Sequence, residues 1–407
     1  MVRKVVLALL AVLLGGPLAA MGYFYAQHQP LPPAGTQSAR ALGVEDPRFA
    51  AEAREVGAAL DSVRESLSAP GLSVSVASEG KIVWSQATGL LDLATRKPVT
   101  PRSRFEIGSV SKPISAVAVL RLAERGLVDL DEDIRGLVPE IAHQPQPISM
   151  RQLLSHQAGI RHYGFKFNPP AFSEAGLNQE FESPRAALGI FAEDELLFEP
   201  DTGFQYSTYG YTLLDAAVAA KTGKGLAELV GREIFEPSSM RQAEVKRGGS
   251  RQPDLASGYT AALSRKKVMP QLETNPSYKV AGAGYIASTD DLARFGIAVI
   301  AGELLGEEWT RQMFEPRKTS DGNVNPQRYG LGWRIGELEL EGDRIAMIHH
   351  GGTTPGTISI ILLFPDQQLV VTAAANSVKA GGSSSLRAFA TGVAKVFLAA
   401  AAQHREA

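Results

Sequence analysis

Cysteine is absent from the 407 residues. That removes disulfides, thiolate metal sites and cysteine nucleophiles from the chemistry open to the chain. An excess of either charge is missing too: 41 Lys and Arg against 43 Asp and Glu leave a formal charge of -2. No overall field therefore draws the protein toward nucleic acid or an anionic membrane, and a small-molecule or peptide partner suits it better. No repeat recurs at a fixed period, which sets aside solenoids and propellers. What is present, 44% hydrophobic and 21% charged residues, describes an ordinary folded chain. Its length suits one large core with an inserted subdomain.

One long apolar run stands out. Arg3 and Lys4 precede residues 5–26, interrupted at Gly15-Gly16-Pro17 and followed by the Pro-rich "QHQPLPPAGTQS". The first half reads as a signal-peptide core, and the whole is about long enough to cross a bilayer once. Residues 1–28 are therefore expected to be a signal peptide or membrane anchor, with an uncleaved anchor preferred. The basic flank leaves the bulk of the chain outside the cytoplasm in both cases. A linker is expected over 29–55.

Beyond it, "LSVSVAS" and "KIVWSQATG" alternate around Glu79-Gly80, which predicts a β-hairpin at the start of the folded domain. An almost wholly apolar stretch to Leu127, closed by Arg125-Gly126, predicts a buried helix that starts near Ser109. Residues 127–290 read as a mostly helical insertion. Strand patterns return in "GLGWRIGELEL", "RIAMIHHGG", "TISIILLFP" and "QLVVTAAANS", ahead of a final Ala-rich helix at 384–402. The two ends of the chain are expected to share one sheet.

Three segments carry the candidate chemistry. "FEIGSVSKP" sets Ser109 three residues before Lys112, one helical turn apart, so that the amine lies in reach of the hydroxyl. Helix starts also offer unpaired N–H groups that favour an oxyanion. Helix capping by Ser109 is the alternative. Ser264 and Lys267 repeat the spacing in a basic run without an apolar helix, and read as a solvated loop. "FQYSTYGYTLL" then places Tyr206, Ser207 and Thr208 ahead of an apolar helix; Tyr206 is a candidate proton relay, with Tyr206, Tyr209 and Tyr211 otherwise packing groups. "MIHHGGTTPG" puts His349, His350, Gly351 and Gly352 at a strand end, where glycines admit a ligand close to the backbone. No third ligand stands at familiar spacing from the paired histidines, so no metal is expected. His156 and His162 read as polar packing or cleft-lining groups.

In this order, "SVSK", "YST" and "HHGG" resemble the serine β-lactamase and penicillin-binding-protein superfamily, in its class C-like branch with esterase-like relatives. "RQLLSHQAGI", "SYKVAGAGYIASTDDL" and "YGLGWRI" extend the likeness over roughly residues 60–395, most like the mitochondrial serine β-lactamase-like branch and its bacterial counterparts. The resemblance implies an α/β (α+β) fold, β-lactamase/transpeptidase-like, with an antiparallel sheet flanked by helices and the helical subdomain inserted. The hydrolase domain would span residues 56–400. The resemblance further implies an acylated Ser109, Lys112 as its base, Tyr206 as second proton relay, and an oxyanion hole from the N–H groups of Ser109 and Gly352. His349 would replace the third-motif lysine, with His350 the alternative; His349 and Gly351 share a strand face, as the first and third residues of the motif should.

Two departures bear on substrate. Thr208 stands where many relatives carry asparagine, and its hydroxyl lacks the paired donor and acceptor that grips an amide. A neutral imidazole at 349 holds an anion poorly. Both argue against efficient β-lactam hydrolysis and leave ester or peptide cleavage through acyl-Ser109 as the expectation, without metal or organic cofactor. The competing expectation is a weak or inactive scaffold that binds a ligand. The sequence does not set the oligomeric state.

Overall fold

The computed structural model describes residues 27–35, 42–168, 171–248, 252, 254–262 and 266–406. The apolar run at 5–26 and Ser264 lie outside them.

Alternation at the two ends of the chain builds one eight-stranded sheet. Its main strands are β1 (Gly71–Ser78), β2 (Lys81–Asp92), β3 (Arg334–Leu340), β4 (Asp343–Thr353), β5 (Ile358–Phe364) and β6 (Leu369–Ala375). They pair antiparallel in the order β3-β4-β5-β6-β1-β2, and Leu42–Val44 and Lys97–Pro98 both pair with β2. The hairpin expected around Glu79-Gly80 is β1–β2, and the ends of the chain do meet, through β6 and β1.

Helices cover both faces. Leu72, Val74 and Val76 of β1 and Ile360 and Leu362 of β5 pack with α1 (Ala50–Ser66) and the terminal helix; Ile361 and Leu363 join the larger core on the other side. A strand buried on both sides reads as a continuous apolar run, which is why "TISIILLF" shows little alternation. Ser73 and Ser75 of β1 face the second side and bond Thr289 at 2.8 and 2.9 Å, at the start of another helix (Thr289–Ile300). The terminal helix, Gly382–Glu406, is long and apolar enough to cross a membrane. Its Leu386, Ala390, Val393, Ala394 and Phe397 are instead buried in the core, and Trp84 stacks on Phe397 at 5.7 Å.

Two expectations need correction. The stretch read as linker is structured near its end: Leu42–Val44 adds an edge strand and α1 starts at Ala50, preceded by a turn that Asp46 caps. The middle of the chain holds helices, among them Thr208–Thr222, yet also short strands. Tyr285–Ala287 pairs with Phe105–Glu106 and Glu244–Val245, and Tyr259–Ala261 with Lys267–Pro270. Runs of two to four residues are too short to show a period.

The fold leaves an opening beside β4. β3 pairs with β4 only as far as Arg334 opposite His349, so residues 350–353 present a free edge. Against that edge lies the turn Gly108–Val110, which leads into α2 (Ser111–Glu124). That helix is apolar nearly all round and buried accordingly.

Candidate active site

Ser109 sits in a single 3-10 turn, half-buried, where its N–H belongs to the first turn and has no acceptor within the helix. Gly108 holds the turn against β4. It has φ of 51°, and a Cβ there would lie 2.8 Å from both N and O of Thr353. One turn on, Lys112 is fully buried. Its Nζ lies 3.2 Å from Ser109 Oγ, 3.0 Å from Thr208 Oγ1 and 3.0 Å from the Gly282 carbonyl. Burial first, then the charges of Arg334 and Lys279, push its pKa well below the usual lysine range. A neutral amine has two N–H groups and one lone pair. Gly282 O and Thr208 Oγ1 can take the first two, which leaves the lone pair for the Ser109 proton.

The second segment is pinned by two histidines. Ser207 caps the helix Thr208–Thr222 by accepting from Gly210 N. Its own N–H donates to His156 Nδ1 at 3.2 Å, and Thr208 N–H donates to His162 Nδ1 at 3.1 Å. Both imidazoles must be neutral to accept. Burial, with Lys112 as the next cause, lowers His162 to about 4 and pushes His156 well below the usual imidazole range. Tyr206 is thereby held in the wall of the Ser109 cavity, with its ring 4.9 Å from the Arg334 guanidinium carbon and 4.8 Å from Lys112 Nζ. Burial raises its pKa, and the Arg334 charge pulls it part of the way back. Tyr209 and Tyr211 are buried packing groups.

On β4 the two histidines part company. His350 is fully buried and its ring centroid is 6.1 Å from that of Tyr206. Its Nε2 meets Tyr329 Oη at 3.0 Å and Arg334 Nη1 at 3.1 Å, and its Nδ1–H donates to Gly351 O at 2.8 Å. His349 lines a different cavity of about 240 Å³, with Arg387 and Ser384 of the terminal helix. The expectation that His349 takes the third-motif position is thus corrected in favour of its alternative: the ring beside Tyr206 is that of His350, while His349 points to the other side of the sheet. Gly352 is also reassigned. Thr354 N donates to Thr357 O, so by alternation the Gly352 N–H points into β5, opposite Ser359, and the Thr353 N–H points out to the Gly108 turn. Gly352 is required sterically, since a Cβ would stand 1.9 Å from Ile107 O.

Around Ser109 opens a cavity of about 450 Å³, whose walls include Tyr206, Thr208, His162, Gly351 and Thr353. Two cations that the sequence reading passed over also line it: Arg334, with its guanidinium carbon 4.9 Å from the Tyr206 ring centroid, and Lys279.

Comparison with known proteins agrees with this architecture. Residues 56–394 match the family model described as Beta-lactamase. The chain belongs to the beta-lactamase family. Serine beta-lactamase-like protein LACTB, mitochondrial, of Mus musculus is 25% identical, the match covering 84% of this chain and 75% of that protein. Esterase EstB of Burkholderia gladioli is 28% identical over 77% of this chain and 88% of its own length. Among solved structures, the octameric penicillin-binding protein homologue from Pyrococcus abyssi superposes with a TM-score of 0.70 at 21% identity, over 85% of this chain and 77% of that one.

Within this beta-lactamase-family fold, the three segments quoted from the sequence converge, since Ser109, Lys112, Tyr206, Thr208 and the free edge of β4 share one cleft. Arg334 lies in "YGLGWRI" and Lys279 in "SYKVAGAG", both noted as phrases but without a role for either cation.

Proposed function

We propose that the protein is a serine hydrolase that cleaves an ester or amide through an acyl-Ser109 intermediate. The observation that carries this reading is the Lys112 amine, buried and 3.2 Å from Ser109 Oγ, where burial and nearby cations favour its neutral form. In this scheme Ser109 Oγ bonds to the substrate carbonyl carbon while its proton passes to Lys112 Nζ. The N–H groups of Ser109 and Thr353 hold the oxyanion. Tyr206 gives its proton to the leaving oxygen or nitrogen as that bond breaks, and the Lys112 ammonium, disfavoured by burial, restores the tyrosine. Water then attacks the acyl carbon by the same relay, releasing the carboxylic acid and free Ser109. His350 takes the third-motif position, and Arg334, bonded to His350 and packed against the Tyr206 ring, supplies the fixed charge that a lysine there would carry. Thr208 serves Lys112 and the wall of the cleft.

The basic flank and apolar run at residues 1–28 support an exported enzyme of the cell envelope, anchored if the segment is not cleaved. Treatment with a fluorophosphonate probe, followed by mass spectrometry, tests the central claim. A single adduct on the peptide carrying Ser109 is expected, absent from Ser109→Ala; no adduct, or one that persists in that variant, refutes it.

A further inference from the structure

The cavity beside Ser109 carries more positive charge than it balances. Arg334 bonds only neutral acceptors among the described residues, His350 Nε2 at 3.1 Å and Gln327 Oε1 at 2.8 Å, besides its packing against the Tyr206 ring. Lys279 is 6% exposed. Its Nζ donates to Ala175 O at 2.7 Å and stands 4.9 and 5.4 Å from the ring centroids of Tyr278 and Tyr163. Glu106 is the carboxylate that lines the same cavity, and it is already engaged, accepting from Lys246 Nζ at 2.6 Å and Gln271 Nε2 at 3.2 Å. Lys279 thus has no acidic partner of its own among the described residues.

A buried ammonium without a counter-charge is expensive to maintain, and sites with such groups are where ligand charge is received. Lys279 has three N–H donors and spends one on Ala175 O, which leaves two for a ligand. Its position divides the cleft. Tyr206 and Arg334, assigned above to the leaving group, cluster with Tyr329 and His350. Lys279 clusters instead with Tyr163, Tyr278 and Ala175, on the wall formed by the middle of the chain. A substrate that reaches both clusters places its leaving group at the first and its acyl chain at the second.

We infer that Lys279 anchors a carboxylate at the far end of the substrate's acyl group, so that hemiesters or monoamides of dicarboxylic acids are preferred over neutral acyl substrates. This rests on the acyl-Ser109 reading. Burial, with Lys246 adding to it and Glu106 opposing, lowers Lys279 to about 8, so the amine is still mostly charged at pH 7. Of the other titratable groups around it, His162, Tyr163 and Tyr278 are neutral there, and burial lowers the pKa of Lys112 well below the usual lysine range.

The test compares mono-4-nitrophenyl glutarate with its methyl ester, methyl 4-nitrophenyl glutarate, which differ only in the distal carboxylate. In the wild type kcat/KM should favour the hemiester by roughly tenfold or more, the size of a charge-assisted hydrogen bond. The ratio should fall to about one in both Lys279→Met and Lys279→Gln. A wild-type ratio near one, or one unchanged in the variants, overturns the anchor while leaving acyl-Ser109 chemistry intact. A second arm needs no turnover: calorimetric titration of Ser109→Ala with monomethyl glutarate and with dimethyl glutarate. Tighter binding of the hemiester, by a similar factor and lost on adding Lys279→Met, supports the anchor even if neither ester is cleaved; equal binding overturns it.

Discussion

Raising the pH from about 7 to 9 should raise the rate of Ser109 acylation by a neutral ester far less than the hundredfold that an ordinary lysine base would give, because burial and two neighbouring cations favour the Lys112 amine. A lysine at its ordinary pKa of 10.5 would be neutral in about one molecule in 3000 at pH 7, and preparing the base would then cost roughly 4.8 kcal/mol, at about 1.4 per unit. Full burial, with Arg334 and Lys279 nearby, lowers that cost in advance. Substituting Lys112→Met keeps the side-chain length and deletes the lone pair. Loss of general-base assistance should slow acylation by about 10²- to 10⁴-fold, which corresponds to about 3 to 5.5 kcal/mol of barrier. The fold should survive. The Gly282 carbonyl loses a donor, at about 1–3 kcal/mol, and the variant no longer buries an amine, which offsets part of that loss. Burst release of 4-nitrophenol in stopped flow measures the acylation rate, and intact mass confirms the adduct. A log rate that climbs with a slope of one between those pH values refutes the reasoning, as does Lys112→Met acylating within about threefold of the wild type.

Three further outcomes follow from the geometry. Gly352→Ala puts a methyl group on the Ile107 carbonyl, moves the Ser109 turn off the Thr353 N–H, and should cost about 10²- to 10³-fold in acylation with about 1–3 kcal/mol of stability; near-normal rates of 4-nitrophenyl ester cleavage would contradict it. Arg334→Met takes the charge off Tyr206, so ethyl esters and amides should lose about 10- to 100-fold in kcat and 4-nitrophenyl esters, whose leaving group needs no proton, much less; equal losses in a paired assay would rule against Tyr206 as the acid. Asp215 is buried and its pKa is raised from 3.8 to about 7, so the native state keeps a proton that the unfolded chain releases. Stability should therefore fall by up to about 4 kcal/mol as the pH rises from about 4 to 7. Asp215→Asn, which retains the acceptor for Leu226 N–H, should lack that fall in denaturant titrations at pH 5 and 8; parallel losses in both proteins would exclude the assignment.

Much of the site was legible because its parts are local. A serine and a lysine three apart before an apolar helix must share a helix face, and "SVSK" becomes the turn Gly108–Val110 and the start of α2. Short strands in the middle were missed because tertiary pairing, not periodicity, makes them. Lys279 and Arg334 were missed as cleft residues because they lie 55 positions apart in sequence and meet only through folding.

The sequence by itself determined the order of the elements, the shared sheet of the two chain ends, the buried helix and the two segments that carry Ser109, Lys112 and Tyr206. Those follow from short-range periodicity and spacing, which any fold of this chain must respect. Tertiary structure alone decided the rest. Alternation says that His349 and His350 face opposite ways, but which of the two lies beside Tyr206 depends on how β4 packs against the rest of the fold. The free edge of β4 points the Thr353 N–H, and not that of Gly352, toward the Gly108 turn. Burial pushes Lys112 toward the amine and leaves Lys279 a cation without an acidic partner among the described residues, and such charge states depend on burial and neighbours that residue type does not reveal.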